Sequence, residues 1–210
     1  MASLTLIVRR RTIMAMACLI PLIGIPAVYA ATPAEAFVAD NIQKGLGTLN
    51  DPQLSPAQRS EQFERFLLTI TDMDRVATFT LGQYAATASP ADRAAFTAAF
   101  QSYSVAVYRS YLGKYAGQTL KIAGSSQHAP GDFIVVTNMI DPTDHSGQPP
   151  LEVDFRVRTD TGKPEITDLG VAGVWLAIAE RDQFGAFLSK NHGDINALVA
   201  HLHEVANGYK

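Results

Sequence analysis

Histidine and acidic side chains are the residues of this 210-residue chain that could bind a metal ion or transfer protons. His201 and His203 lie two positions apart in a helical pattern, so they point to different faces and do not easily share a metal. His145 follows Asp141 and Asp144 in a loop of turn-forming residues. A metal site is possible there, but solvated polar groups are the simpler interpretation. We therefore predict no metal site.

A second charged cluster, Asp72, Asp74 and Arg75, lies where a helix should begin, so helix capping is its expected role. The chain has no phosphate-binding glycine loop, no nucleophile elbow and no HExxH motif. The one cysteine, Cys18, lies in the first thirty residues, so a chain cleaved after them has no thiol for catalysis or metal binding. We predict that the protein is not an enzyme and needs no cofactor.

The first thirty residues have the pattern of an export signal. Arg9, Arg10 and Arg11 precede the apolar run Thr12–Val28, and Val28-Tyr29-Ala30 is a small-x-small cleavage site. We expect a signal peptide over residues 1–30, cleaved after Ala30. Its loss removes three positive charges, so the net charge changes from −3 to −3 − 3 = −6. An acidic domain has no electrostatic attraction to nucleic acid.

Residues 31–210 are predicted to form a single α+β domain, because helical patterns come first, then an antiparallel meander, then helices again. Ser55-Pro56 and Ser89-Pro90 are strong helix starts. The first helix is expected to break near Gly45–Gly47, and the longest to run from about Pro90 to Tyr115. With 47% hydrophobic residues, the chain can build a substantial core.

The segment Asp168–Phe184 changes from a strand pattern to a helical pattern, and it contains the single tryptophan, Trp175. A large apolar side chain at such a corner either fills a core or lines a cavity. The long helix poses the same alternative. Its stripe of apolar and aromatic side chains either packs in a core or lines a cavity. Tyrosine suits a cavity lining, because its ring contacts apolar groups while its hydroxyl forms a hydrogen bond. The stripe is Phe96, Phe100, Tyr103, Val107, Tyr111 and Tyr115.

A set of motifs, each weak alone, is more specific in its order and spacing. In order they are Leu81-Gly82-Gln83-Tyr84, Ser89-Pro90-Ala91-Asp92-Arg93, Phe96 with Phe100, Tyr111-Leu112-Gly113-Lys114-Tyr115, Val153–Val157, Ile166–Val174 and Arg181–Phe184. In these features the chain resembles the MlaC family, also called the toluene-tolerance auxiliary proteins. The version of the motif at Gly173–Phe184 is most similar to HpnM, the branch associated with hopanoid biosynthesis.

The resemblance implies an antiparallel NTF2-like or cystatin-like sheet of about four strands, wrapped by N-terminal and C-terminal helices around an apolar cavity. It also implies a soluble periplasmic lipid carrier that moves phospholipid between an outer-membrane lipid-transfer complex and an inner-membrane ABC transporter, and so maintains outer-membrane lipid asymmetry. Hopanoid is the alternative cargo, because a bulky ring at Trp175 suits a rigid polycyclic ligand.

A lipid carrier must enclose the acyl chain of its cargo. A chain of about sixteen carbons costs about 12 kcal/mol to expose to water. The inner face of the sheet and the helices after it are expected to supply the lining. The predicted lipid-binding residues are Val76, Phe79, Tyr103, Val107, Phe155, Val157, Leu169, Val171, Trp175 and Ile178. Two other classes stay open: a structural or assembly domain with the same residues in a dry core, and a binder of small aromatic solvents.

Overall fold

A computed structural model describes residues 31–209 of the chain. Within them the protein forms six α-helices, a short 3-10 helix (Gly82–Ala86) and five β-strands. The helices are α1 (Pro33–Leu49), α2 (Pro56–Ile70), α3 (Met73–Leu81), α4 (Pro90–Leu112), α5 (Leu176–Lys190) and α6 (Ile195–Gly208). The strands are β1 (Thr119–Ala129), β2 (Asp132–Ile140), β3 (Glu152–Arg158), β4 (Glu165–Val171) and β5 (Val174–Trp175). The predicted signal peptide and its cleavage site lie outside the described residues.

The N-terminal helices begin at the capping residues that the sequence indicates. Thr32 accepts a hydrogen bond from the amide of Glu35, and the Glu35 side chain accepts one from the amide of Thr32. Ser55 and Gln58 form the same reciprocal pair at the start of α2. Each pair satisfies two amides that would otherwise lack a partner, which fixes where the helix starts.

Two helix ends differ from the prediction. The first helix does not break at Gly45–Gly47 but continues to Leu49. Gly45 is buried, and a Cβ atom there would lie 3.2 Å from the Phe63 ring and 3.3 Å from the Phe66 ring. Packing against α2 therefore offsets the low helix propensity of glycine. The longest helix ends at Leu112, three residues earlier than expected.

The strands form one antiparallel sheet in the order β1-β2-β3-β4-β5, which confirms the predicted α+β class with a meander sheet. The register places Val135 opposite Phe155, and Phe155 opposite Leu169, so their side chains share one face. The sheet has one strand more than the predicted four, since Val174 and Trp175 pair with the end of β4.

Most of the buried apolar residues within residues 31–209 belong to two clusters. The larger, which we call the helical cluster, contains buried residues from α3, α4, α5 and α6, among them Phe96, Phe184 and Leu198. A smaller cluster packs Ala34 and Val38 of α1 against the inner face of the sheet. None of the helices within residues 31–209 is long and apolar enough to cross a bilayer.

The outer face of the sheet carries an ion pair between a buried carboxylate and a partly exposed arginine. Asp132, with a side chain 4% exposed, accepts hydrogen bonds from Arg156 Nε at 3.0 Å and from Arg156 Nη2 at 2.7 Å. The hydrogen bonds from Arg156 hold the pKa of Asp132 below its ordinary value. Ionised Asp132 therefore stabilises the fold at neutral pH, and this contribution is lost as the pH falls through the lowered pKa.

We expect Asp132→Asn to lower the free energy of unfolding by about 2 kcal/mol at neutral pH, since the change weakens a charge-assisted pair. The difference from wild type should disappear in acid, where Asp132 is protonated in both states. Urea unfolding of both proteins, repeated from neutral to acidic pH, measures this difference in the free energy of unfolding. Asp160→Asn is the control, because its pair with Arg158 is more exposed and should contribute less. A pH-independent effect of Asp132→Asn would contradict this account.

Candidate functional site

An apolar cavity of about 240 Å³ lies between α1, α2 and the inner face of the sheet. From the helices it is lined by Val38, Asn41, Ile42, Gly45, Leu46, Leu49, Phe63, Phe66, Leu67 and Ile70. From the other side it is lined by Tyr115, Gln118, Thr119, Leu120, Met139, Val153, Phe155 and Ile166. The lining contains no charged side chain, so the cavity suits a hydrocarbon.

Three of the polar side chains at the cavity have hydrogen-bond partners within the protein. Asn41 donates to the carbonyl of Phe37 within α1, at 2.8 Å, so its amide nitrogen does not need a ligand. The Tyr115 hydroxyl accepts a hydrogen bond from Asn50 at 3.0 Å, and Gln118 donates to Asp141 at 3.0 Å. These last two contacts lie at one end of the cavity, beside exposed residues. The cavity therefore has a polar end that meets solvent.

Helix α2 forms the outer wall of this cavity, and the Glu64–Arg109 ion pair joins it to α4. Ile70 is its one buried residue, while Phe63, Phe66 and Leu67 are half-buried. Their side chains face the cavity, and Gly45 of α1 lets the two rings approach its backbone. The wall can therefore move outward without removing large side chains from a packed core.

The strand-to-helix corner is a hairpin turn followed directly by α5. Ala172 (φ 50°) and Gly173 (φ 78°) form the turn, a backbone conformation that glycine adopts most easily. Asp168 Oδ1 accepts hydrogen bonds from the amides of Leu169 at 2.8 Å and Ala177 at 2.9 Å. Asp168 therefore joins β4 to the first turn of α5.

A second chamber, of about 90 Å³, lies among α3, α4, β4 and α5. Its lining includes Val76, Phe100, Tyr103, Val107, Leu169 and Glu180. Tyr103 donates a hydrogen bond from its hydroxyl to Glu180 Oε1 at 2.8 Å. Burial raises the pKa of Glu180, and burial together with that hydrogen bond raises the pKa of Tyr103.

The ten residues predicted to bind lipid do not line one space. Phe155 is the member of the set that lines the apolar cavity, and Val157 is fully buried beside α1. Four line the second chamber instead: Val76, Tyr103, Val107 and Leu169. Val171 pairs with Val153 and Val174 and is half-buried at the end of β4.

The remaining three lie at the surface or on the other face of the sheet. Phe79 is 38% exposed and stacks under Arg181, whose guanidinium lies 5.2 Å from the ring centroid. Ile178 is 44% exposed. Trp175 lies against Gly170, on the face opposite the cavity. The role of the ten residues in lipid binding stays a prediction.

The cavity wall formed by α1 and α2 was missing from the predicted site. A signal for it exists in the sequence, because both helices carry apolar residues at steps of three and four, such as Phe63, Phe66, Leu67 and Ile70 on α2. Such a stripe indicates a buried face but does not say whether a packed core or a cavity lies beneath it.

The charged groups considered at the start have local structural roles. Asp72 caps α3, accepting a hydrogen bond from the amide of Arg75 at 3.0 Å, which confirms its predicted role. Asp141 accepts hydrogen bonds from the amide and hydroxyl of Thr143 in its own loop. Among residues 31–209 no three histidine, cysteine or acidic residues come together as a metal-ligand group.

The fold and the cavity define an α+β domain that encloses apolar space between a meander sheet and two N-terminal helices. The sequence profile of the family described as MlaC protein matches residues 39–204. The chain belongs to the MlaC family.

A solved structure with the same fold is the phospholipid-binding protein from Ralstonia solanacearum, determined in complex with a phospholipid. The two chains superpose with a TM-score of 0.73 at 22% sequence identity. The match covers 85% of this chain and 99% of the Ralstonia chain. This similarity shows that the two proteins share a fold.

Proposed function

We propose that the protein is a periplasmic lipid carrier that holds the acyl part of a membrane lipid between α1, α2 and the sheet. The observation that carries the proposal is the uncharged, apolar lining of that cavity. Membership of the MlaC family and the phospholipid in the Ralstonia relative support it. The carrier would pass lipid between an inner-membrane ABC transporter complex and an outer-membrane lipid-transfer complex.

The position of the head group follows from the two ends of the cavity. The end near Val38, which packs with Val135 and Val157, is buried and apolar. The other end carries Tyr115 and Gln118, beside exposed Thr119. A lipid placed with its acyl chain inward would leave its polar head at this end, where water and these side chains provide hydrogen bonds.

Loading requires the cavity to widen. Its volume of about 240 Å³ lies below the range of about 300–1,000 Å³ that is usual for small-molecule pockets. Helix α2 is the wall best able to move, because it buries one residue. We therefore place the entry of the acyl chain between α1 and α2.

Phospholipid is the cargo we favour over hopanoid. The ring at Trp175, which suggested a polycyclic ligand, lies against Gly170 on the face of the sheet opposite the cavity. The Ralstonia relative was determined with a phospholipid bound. The HpnM-like alternative with a hopanoid cargo is tested in the same experiment.

The test is to express the full chain, isolate it from the periplasmic fraction without detergent, denature it, and analyse organic extracts by mass spectrometry. We expect phospholipid in stoichiometric amounts. Stoichiometric hopanoid would support the carrier role and would make hopanoid the cargo instead of phospholipid. A lipid-free extract from folded protein would overturn the proposal in favour of a structural domain with a dry core. Recovery of the protein outside the periplasm would contradict the proposed location.

A further inference from the structure

The second chamber differs from the apolar cavity in that its lining includes ionisable groups. Ile166 lines both spaces, so the chamber lies directly behind the wall of the apolar cavity. Apolar side chains make up most of its lining, but Glu180 and Asp168 also border it. The two acids differ in how well their oxygens are satisfied.

Asp168 has partners for the oxygen that faces the backbone. Its Oδ1 accepts two amide hydrogen bonds, from Leu169 and Ala177. Its role is therefore explained by the corner that it holds together, although burial raises its pKa.

Glu180 is not satisfied in the same way. Tyr103 donates to Glu180 Oε1, while Oε2 is buried and has no hydrogen-bond partner among residues 31–209. A buried polar atom without a partner lowers the stability of the folded state. Native structures seldom carry this cost without a functional reason, such as a ligand or an ordered water.

We propose that the second chamber is a binding site for a hydroxyl group carried by an apolar ligand, with the Glu180 carboxyl group as its hydrogen-bond partner. The apolar body of that group would pack against Val76, Val107 and Leu169. The volume of about 90 Å³ exceeds the roughly 10–15 Å³ that a single water needs, so there is room for more than a solvent molecule.

A hydroxyl suits Glu180 in either protonation state, because it can both donate and accept a hydrogen bond. An ammonium group would need ionised Glu180 and would have to lose its water in a mostly apolar chamber. Burial disfavours that ionised form and raises the pKa of Glu180. A neutral hydroxyl is therefore the better match.

This site goes beyond the proposed function, since it does not depend on an acyl chain in the first cavity. The hydroxyl could belong to a lipid that reaches past Ile166 or to a separate small molecule. The chemistry at Glu180 is the same in both cases, and the experiment distinguishes them.

The experiment uses three probes of one skeleton: cyclohexanol, methylcyclohexane and cyclohexylamine. Each is titrated into isotope-labelled protein, both as isolated with any bound lipid and after the lipid has been removed by denaturation and refolding. Amide NMR shifts near Tyr103 and Glu180 report on the second chamber, and those near Phe63 report on the first cavity. This readout is independent of whether the first cavity holds lipid.

We expect cyclohexanol to shift the amide signals of residues around the chamber in lipid-free protein. It should bind there about tenfold more tightly than methylcyclohexane, because one buried hydrogen bond contributes about that factor in affinity. Glu180→Gln should keep this preference, because glutamine still offers an acceptor. Glu180→Leu should abolish it. Glu204→Gln, at an exposed position on α6, is the matched control and should change nothing.

Bound lipid that excludes cyclohexanol from the chamber would identify the lipid itself as the natural occupant, whereas equal binding with and without lipid would identify a separate molecule. Equal affinity for methylcyclohexane would overturn the proposal, as would the absence of shifts at the chamber. A preference for cyclohexylamine that Glu180→Gln removes would also overturn it, in favour of a cation site.

Discussion

Replacing Leu67 with aspartate is expected to reduce the lipid that co-purifies with the protein by at least about tenfold. Leu67 lies on α2 and faces the apolar cavity. A carboxylate there would have to lose its water when an acyl chain enters, at a cost of several kcal/mol. Leu67 is half-buried, and in the lipid-free state the new carboxylate can stay hydrated as α2 shifts outward, so the fold should survive. Lipid per protein is measured by mass spectrometry of extracts.

Gln62→Asp is the matched control, because it places the same carboxylate on an exposed position of the same helix. It should leave the lipid content unchanged. Val157 would be a poor choice for this experiment, since it is fully buried and a charge there should unfold the protein. If folded Leu67→Asp protein keeps its lipid, the acyl chain does not lie under α2.

Phe96→Ala should lower the free energy of unfolding by about 3–5 kcal/mol, the usual cost of truncating a buried phenylalanine. Phe96 has no exposed surface, and its ring centroid lies 6.0 Å from that of Phe100 and 5.9 Å from that of Phe184. By contrast, Phe63→Ala should cost less than about 2 kcal/mol in lipid-free protein, because the Phe63 ring borders a cavity and has fewer contacting atoms.

Urea unfolding of both variants measures the contrast, and the two substitutions remove the same atoms. Adding lipid extends the experiment, because a ligand that binds only the folded state raises its stability. Phe63→Ala should reduce this lipid-dependent gain in stability. Phe96→Ala should show the same gain as wild type under conditions in which the variant is folded. Equal losses from the two changes in lipid-free protein would indicate a dry, packed core beneath α2.

Local signals in the sequence predict much of this fold. The predicted capping residues Ser55 and Ser89 lie where α2 and α4 begin, since each capping interaction involves neighbours in the chain. Along β3 the apolar side chains Val153, Phe155 and Val157 share one face, because strand side chains alternate, but the charged face is not fully exposed, since Asp154 is buried. The order of the elements then suffices for the α+β class and a meander.

The candidate site could not be predicted in the same way, because it depends on which faces meet. The stripe on α4 has no single role. Phe96 and Phe100 pack in the helical cluster, Tyr103 and Val107 line the second chamber, and Tyr111 is 67% exposed. The position of Trp175 likewise depends on strand pairing, which places its ring beside Gly170 on the face of the sheet opposite the cavity.

The single buried residue of α2 has a consequence for hydrogen exchange. When α2 moves away from the sheet, most of the apolar surface that it exposes is surface that already faced the cavity. Its amides should therefore exchange through local openings. The amides of α4 and α6, packed around Phe96 and Leu198, should exchange only when the whole domain unfolds. A cargo bound beneath α2 would then slow exchange mainly in that helix, so the protection of α2 reports occupancy while the rest of the domain reports its own stability.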